Sequence, residues 1–287
     1  MMRVNNMVEL FSLEGKVALV TGAGSPIGLG RHMTLALVRA GARVAMLDVN
    51  AEWLEQTSSD MREVGGDDSV FTMVSDVSKP ESAEDAVSRT IAELGGLHIL
   101  INNAGISAGN LGPNRMNFWD ISPESWNKVL SVNLNGPFYM ARAAVGHMIE
   151  QKWGRIIGVT TSMDTMYREG MSPYGPAKAG HEALIALISR ELEGTGVTAN
   201  VLVPGGAADT NILPPDTPYD RAALIRPDVM QDPVVWLASD ASQEINGRRF
   251  IARNWDESLP IEERLEKAGA PAAWPQLGQQ SVAPGRE

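Results

Sequence analysis

Short apolar runs alternate along this chain with longer segments of helical spacing, and this rhythm limits the fold more than any other feature. Because the runs are continuously apolar, each is expected to be a strand buried on both faces, as in a parallel sheet covered by helices. The sequence therefore predicts an α/β fold. The predicted strands are Val17–Thr21, Arg43–Leu47, Ser69–Val74, Ile99–Asn102, Arg155–Thr160, Thr198–Val203 and Arg249–Ala252.

Two helix starts are marked in the sequence. Ser78 and Glu81 have the spacing of a capping box, which predicts a helix from there to Leu94. Ser122 followed by Pro123 predicts another start, because proline suits the first helical position.

The strand–helix rhythm covers most of the 287 residues, so we expect one domain over residues 1–253 rather than two. Residues 254–287 form a C-terminal extension with a short charged helix, Pro260 to Ala268, and a tail rich in Pro, Ala, Gln and Gly. This extension is either a loose terminus or a segment whose Trp255 and Trp274 dock on the body or on a neighbouring subunit.

The composition argues against several classes of partner. With 24 basic and 35 acidic residues the net charge is −11, which disfavours nucleic acid and anionic membranes. The chain has no cysteine, which fits a cytoplasmic protein, and Met1 to Asn6 have no apolar segment behind them that would suggest a secretory signal. No apolar stretch is long enough to span a membrane, and the four histidines lack the spacing of metal ligands, so we predict no metal site.

A glycine-rich turn, Thr21 to Gly30, joins the first strand to a helix. Such a turn lets the backbone approach a diphosphate, although by itself it could serve only to pack the helix on the sheet. Asp48 ends the second strand, where a carboxylate can bind the adenosine ribose hydroxyls of NAD and repel the 2′-phosphate of NADP. Asp48 could instead be a solvated helix cap, but the two features together favour an NAD site.

Tyr174 and Lys178 are four residues apart and so share one face of a helix. Pro176 is tolerated only in the first turn, which places Tyr174 at the start of that helix. A neighbouring ammonium is expected to lower the pKa of the phenol from about 10, making it a proton acceptor for an alcohol. Taken alone, such a pair is more often an ordinary surface pair.

Several motifs occur in the order found in one enzyme family: Thr21-Gly22 with Gly28, Asn102 to Gly105, Asn133, Tyr174 with Lys178, Pro204-Gly205 and Leu237 to Asp240. Over residues 13 to 253 the chain resembles the short-chain dehydrogenase/reductase family. This resemblance implies a doubly wound parallel sheet, or Rossmann fold, and usually a homotetramer. It also implies an NAD(H)-dependent oxidoreductase that interconverts a secondary alcohol and a ketone.

The resemblance also implies roles for individual residues. Tyr174 would be the general acid/base, Lys178 would lower its pKa and bind the nicotinamide ribose, and Asn133 would carry a relay water. Asp48 would bind the adenosine ribose, and Asp76 and Val77 the adenine. The remaining cofactor contacts would be Gly22, Ser25, Pro26, Ile27, Gly28, Asn103, Ala104, Gly105, Pro204 and Gly205.

The chain departs from the family pattern in four places. Pro26 replaces the middle glycine; it cannot donate an N–H to a diphosphate, but it suits the first turn of a helix. The loop after Pro204-Gly205 is one residue longer, Arg253-Asn254-Trp255 replaces the usual Asp-Gly-Gly, and the segment from Ile106 to Ser122 is a few residues longer. The last three differences border the expected substrate site.

The hydroxyl that would hold the substrate oxygen is either Thr161 or Ser162. The family spacings from Tyr174 and from Gly154 both reach Thr161, whereas Ser162 has the usual residue type. Neighbouring side chains on an extended chain point to opposite faces, so the two cannot both face the nicotinamide. We expect Thr161 to be the catalytic hydroxyl and Ser162 a pocket or loop residue.

Two other functions are open at this point. The chain could be a dinucleotide-binding regulator without turnover, although such a protein needs no Tyr174, Lys178 and Asn133 together. It could also be an NADPH-linked ketone reductase, against which Asp48 argues.

Overall fold

An eight-stranded sheet forms the centre of the molecule. The computed structural model describes residues 11–108, 116–215, 217 and 219–275. The strands are β1 (Val17–Thr21), β2 (Arg43–Asp48), β3 (Val70–Val74), β4 (Ile99–Asn102), β5 (Gly154–Val159), β6 (Val197–Val203), β7 (Arg248–Ile251) and β8 (Gly269–Pro271).

The strand order is β3-β2-β1-β4-β5-β6-β7-β8. Strands β1 to β7 are parallel to their neighbours, and only β8 runs antiparallel, against β7. The chain winds outward from β1 to β3 and then crosses to β4 on the other side of β1, so its direction reverses between β1 and β4. This confirms the doubly wound sheet, in which ligands bind at the carboxyl ends of the strands near such a reversal.

Helices cover both faces of the sheet, and the residues of β1 and β6 are all buried, as their apolar runs predict. One apolar core lies beneath α1, α2 and α8, and the other beneath α3, α5 and α7. The bounds are α1 (Leu29–Arg39), α2 (Ala51–Gly65), α3 (Pro80–Leu94), α4 (Pro123–Leu130), α5 (Gly136–Glu150), α6 (Met163–Tyr167), α7 (Tyr174–Glu191), α8 (Gln231–Ala238) and α9 (Ile261–Ala268).

Most of the predicted boundaries agree with the structure to within one residue, but the capping box is wrong. Helix α3 begins at Pro80, its N-cap is Lys79, and no side chain caps it. The Ser78 hydroxyl instead donates to Asp76 Oδ1 at 2.7 Å, because the loop before the helix offers a closer acceptor. The Ser122 prediction is confirmed, since this side chain accepts a hydrogen bond from the Ser125 N–H.

The described part of the C-terminal extension packs on the body. Strand β8 adds a strand at the edge of the sheet beside β7, which the sequence did not predict. The Trp255 ring lies 5.3 Å from that of Trp236. Trp274 Nε1 lies 3.2 Å from Met163 Sδ at the start of α6. Residues 1–10 and 276–287 of the two predicted segments lie outside the described residues. In the part that the structure describes, no helix has the length and apolar character to cross a membrane.

Candidate active site

A cleft of about 870 Å³ opens at the carboxyl ends of the central strands. Most of the residues that the sequence singled out line it, whereas Pro26, Ile27 and Asn133 do not. Residues from distant parts of the chain therefore meet at the reversal between β1 and β4. The predicted residues in the lining are Gly22, Ser25, Gly28, Asp48, Asp76, Val77, Asn103, Ala104, Gly105, Thr161, Ser162, Tyr174, Lys178, Pro204 and Gly205.

The glycine-rich turn is held close to the end of β4. Gly22 has φ +64, and a Cβ there would lie 2.8 Å from Ala104 Cα, so only glycine fits. The Asn103 amide donates to the carbonyl oxygens of Thr21 at 2.9 Å and Gly22 at 3.0 Å. A Cβ on Gly30 would lie 2.2 Å from the Gly22 oxygen, so helix α1 can approach the turn this closely only with glycine there.

Pro26 lies in a turn and not in the first turn of helix α1, where the sequence placed it. The Gly28 N–H donates to the Ser25 carbonyl at 2.9 Å, which makes Pro26 the second residue of a four-residue turn, a position that proline favours. Helix α1 begins three residues later at Leu29, and no side chain caps it. Its first N–H groups can therefore serve an anionic ligand.

Asp48 is fixed at the rim of the cleft by two backbone N–H groups. Its carboxylate accepts hydrogen bonds from Gly24 N at 2.9 Å and Asn50 N at 3.1 Å. Asp48 does not cap helix α2, because Asn50 does so by accepting from Trp53 N at 2.9 Å. Asp76 lines the same end of the cleft, which therefore carries two carboxylates.

Tyr174 is the first residue of helix α7, as Pro176 predicts, and it lines the cleft together with Thr161 and Lys178. Desolvation raises the pKa of Tyr174 to about 12, and a hydrogen bond with Thr161 acts in the opposite direction. Burial lowers the pKa of Lys178 to about 8. The expectation of a Tyr174 pKa below 10 is therefore wrong, because burial of the phenol outweighs the contributions that lower its pKa. The lysine Nζ lies 6.0 Å from the tyrosine ring centroid and donates to Val159 O at 2.8 Å.

Thr161 and Ser162 have different partners, although both line the cleft. The Thr161 side chain acts on the Tyr174 phenol, whose pKa it lowers. Ser162 is the N-cap of helix α6: its Oγ accepts from Thr165 N at 3.2 Å and lies 2.8 Å from Thr165 Oγ1. The Thr161 hydroxyl is therefore the one associated with the phenol, and the Ser162 hydroxyl has a structural use.

Asn133 lies in a π-helical segment, Ser131–Asn135, between α4 and α5. Its buried side chain donates to Ile106 O and accepts from Ile106 N, both at 2.8 Å. This clamp fixes the chain beside the cleft, and the role of water carrier stays a prediction. Asn135, at the end of the same segment, is exposed.

Sequence reasoning missed one cleft residue that crosses to the glycine-rich turn. Asn211, in the loop after β6, lines the cleft, and its Nδ2 donates to Ser25 Oγ at 3.1 Å. The longer loop after Pro204-Gly205 was the only signal in the sequence, and it gave no indication of which residue would reach across.

Comparison with known proteins identifies this arrangement. The family model for short chain dehydrogenases matches residues 16–218 of the chain. The chain belongs to the short-chain dehydrogenase family. It is therefore an oxidoreductase that acts on CH–OH or keto groups and uses a nicotinamide dinucleotide cofactor.

Individual members of the family are similar over most of their length. A short-chain dehydrogenase/reductase of Aspergillus oryzae is 33% identical over 252 residues, which are 83% of this chain and 94% of that protein. A D-threitol dehydrogenase of Mycolicibacterium smegmatis is 32% identical over 255 residues, 84% of this chain and 92% of that protein. The crystal structure of a short-chain type dehydrogenase/reductase from Mycobacterium marinum superposes with a TM-score of 0.76. It is 27% identical in sequence and covers 85% of this chain and 96% of that one.

The residues of this dehydrogenase fit a dinucleotide. The uncapped start of α1 and the turn at Gly22 suit the diphosphate, since neither presents a side chain that would exclude it. The carboxylates of Asp48 and Asp76 lie at one end of the cleft, and Tyr174 lies elsewhere in the same cleft. Carboxylate acceptors at one end of the cleft suit the adenosine half of such a cofactor, and a phenol beyond the diphosphate site suits its nicotinamide half.

Proposed function

We propose that this dehydrogenase interconverts a secondary alcohol and a ketone with NAD(H). The observation that carries this proposal is that the Tyr174 phenol, the Thr161 side chain and the buried Lys178 ammonium line one cleft, with Thr161 near enough to the phenol to lower its pKa. A phenol and a second hydroxyl that meet in a cleft can bind one alcohol oxygen together, which is the geometry that general acid–base catalysis requires.

In the oxidation direction, Tyr174 accepts the hydroxyl proton of the alcohol while the hydride leaves the carbinol carbon. Bound nicotinamide supplies the hydride acceptor, or the donor in reverse. Thr161 holds the substrate oxygen, and Lys178, whose Nζ is fixed by Val159 O at 2.8 Å, keeps a positive charge near the phenolate that forms. In the reduction direction, Tyr174 returns the proton to the carbonyl oxygen.

A screen of secondary alcohols with NAD⁺, followed through the absorbance of NADH, tests the proposal directly. Turnover of at least one alcohol that is lost in Lys178→Met supports it, because that variant removes the cation and spares Tyr174 and Thr161. If the protein binds NADH, as judged by fluorescence titration, but turns over no alcohol or ketone, the regulatory function replaces the enzymatic one.

We also expect a preference for NAD over NADP. A charge-assisted hydrogen bond contributes about 1.5–3 kcal/mol and about 1.4 kcal/mol is tenfold, so Asp48 should favour NAD by at least about ten- to a hundredfold in kcat/KM. Asp48→Asn should reduce this ratio. Asp60→Asn, which removes a surface partner of Arg31 outside the cleft lining, should leave it unchanged. Equal kcat/KM values for the two cofactors in the wild-type enzyme would contradict the assignment and favour an NADPH-linked reductase.

We further propose a homotetramer, which the family resemblance implies, and a cytoplasmic location, which the cysteine-free composition favours. Two apolar side chains that a partner subunit could cover are exposed on the outer helices: Phe138 on α5 is 45% exposed and Leu187 on α7 is 53% exposed. Size-exclusion chromatography with light scattering should give four times the mass of one chain. Double substitution of Phe138 and Leu187 by Ser should lower that mass, and a monomeric wild-type protein would exclude the tetramer.

A further inference from the structure

Behind the catalytic residues lies an ion pair that is almost wholly removed from water. Arg249 on β7 and Glu182 on α7 form it, with side chains that are 7% and 0% exposed. Neither residue lines the cleft. Burying two charges is costly and contributes little net stability compared with apolar side chains of the same size, so an ion pair here calls for a reason other than stability.

Both members of the pair also hold the chain just beyond the end of β5. Thr160 Oγ1 donates to Glu182 Oε2 at 2.9 Å. Arg249 Nη2 donates to the Thr161 carbonyl oxygen at 2.9 Å, while its Nη1 binds the Glu182 carboxylate. The planar guanidinium has donors in a fixed fork, so one side chain can fix the distance between a carboxylate and a carbonyl.

These contacts connect the two residues that share the alcohol oxygen in the proposed function. Glu182 belongs to helix α7, which begins with Tyr174. Thr161, which Arg249 holds, lies two residues after the end of β5. The pair therefore joins the helix of the general acid/base to the backbone of the catalytic hydroxyl.

We propose that Glu182 and Arg249 are positioning residues that fix where Thr161 lies in the cleft relative to the Tyr174 phenol. This inference rests on the proposed function. The pair touches neither the cleft nor the reacting atoms, and its effect on the reaction passes through the backbone of Thr160 and Thr161. A misplacement of about 1 Å at a reacting group can lower the rate about 10²-fold, so such a connection has a measurable effect on kcat.

The sharpest test replaces both charges together, with Glu182→Met and Arg249→Met in one chain. An apolar pair of similar size should preserve the fold, whereas a single substitution leaves one buried charge unpaired. We expect a folded protein of somewhat lower thermal stability, because the Thr160 hydroxyl and the Thr161 carbonyl lose their partners. NADH affinity should stay at the wild-type value and KM should change little, whereas kcat should fall roughly ten- to hundredfold. In a Thr161→Val background the same double substitution should change kcat hardly at all, because the hydroxyl that the pair positions is already gone.

Arg155 supplies a matched control. It is a buried arginine, 1% exposed, near the opposite end of β5, and it does not line the cleft. If Arg155→Met folds, its kcat should be close to the wild-type value. If the Glu182/Arg249 double variant keeps wild-type kcat, or loses the same factor with and without the Thr161 hydroxyl, the positioning role is overturned.

Two further measurements cover the remaining outcomes. Should the double variant not fold, Arg249→Lys keeps the charge but loses the forked donors of the guanidinium. Full kcat in that variant would contradict the proposal.

Should the wild-type enzyme oxidise no alcohol, the proposed function fails by itself. A crystal structure of the double variant or of Arg249→Lys then decides the positioning role: Thr161 Oγ1 must have moved relative to the Tyr174 oxygen, compared with the wild-type enzyme, and an unmoved hydroxyl refutes it.

Discussion

Tyr174→Phe is expected to lower kcat for alcohol oxidation by about 10²–10⁴-fold, the usual contribution of general acid–base catalysis, with NADH affinity close to wild type. The substitution removes the phenol oxygen and leaves the ring at the start of α7. Because the ring stays, the packing beside Thr161 and the position of Lys178 should be preserved. Steady-state kinetics with one good alcohol and a fluorescence titration with NADH measure the two quantities.

Tyr167→Phe is the matched control for that variant. Tyr167 is 77% exposed and does not line the cleft, so removal of its hydroxyl should not change kcat. A Tyr174→Phe enzyme that retained more than about a tenth of wild-type kcat would show that another group transfers the proton.

The raised pKa of Tyr174 also predicts how the rates of the wild-type enzyme and of Tyr174→Phe depend on pH. With a pKa of about 12, the phenolate is the minor form near neutral pH, and its fraction rises with pH. Wild-type alcohol oxidation should therefore speed up between about pH 6 and 7.5, below the pKa of about 8 at which Lys178 loses its charge, whereas the residual activity of Tyr174→Phe should not follow that rise. Ketone reduction uses the protonated phenol and should not gain from higher pH in this range.

Much of the fold could be predicted because burial on both faces leaves a clear signal in the sequence. A strand such as β6, with all seven residues buried, is a mostly apolar run that only Thr198 and Asn200 interrupt, so its bounds were found to within one residue. Strand β8 has only three residues, one of them a proline, and pairs with a single neighbour. A segment this short and only partly buried has no apolar run to reveal it.

The sequence predicted which residues form the site, but not which residues they contact. The spacing of Tyr174 and Lys178 indicates that they share one face of a helix, and Asp48 can be recognised because it ends a strand. Glu182 and Arg249, which bind each other, are 67 positions apart in the sequence. Their pairing depends on how α7 packs against β7, and no local pattern records that. The pKa of Tyr174 depends on burial in the same way.

Thr161→Val is expected to lower kcat by about 10²–10³-fold, the usual effect of removing one donor to a developing oxyanion. Valine has nearly the shape of threonine, so the variant removes only the hydroxyl and leaves the backbone contact to Arg249 intact. NADH affinity should change little. Steady-state kinetics on the alcohol used for Tyr174→Phe gives kcat and KM for both.

Ser162→Ala should behave differently, because the Ser162 hydroxyl caps helix α6 and is bonded to Thr165. Loss of such a cap costs about 1 kcal/mol of stability, so the variant should melt at a somewhat lower temperature and keep kcat near wild type. The two substitutions thus separate chemistry from local stability at adjacent positions. A large loss of kcat in Ser162→Ala, with Thr161→Val near wild type, would show that helix α6 releases its cap during turnover and that the serine holds the substrate oxygen.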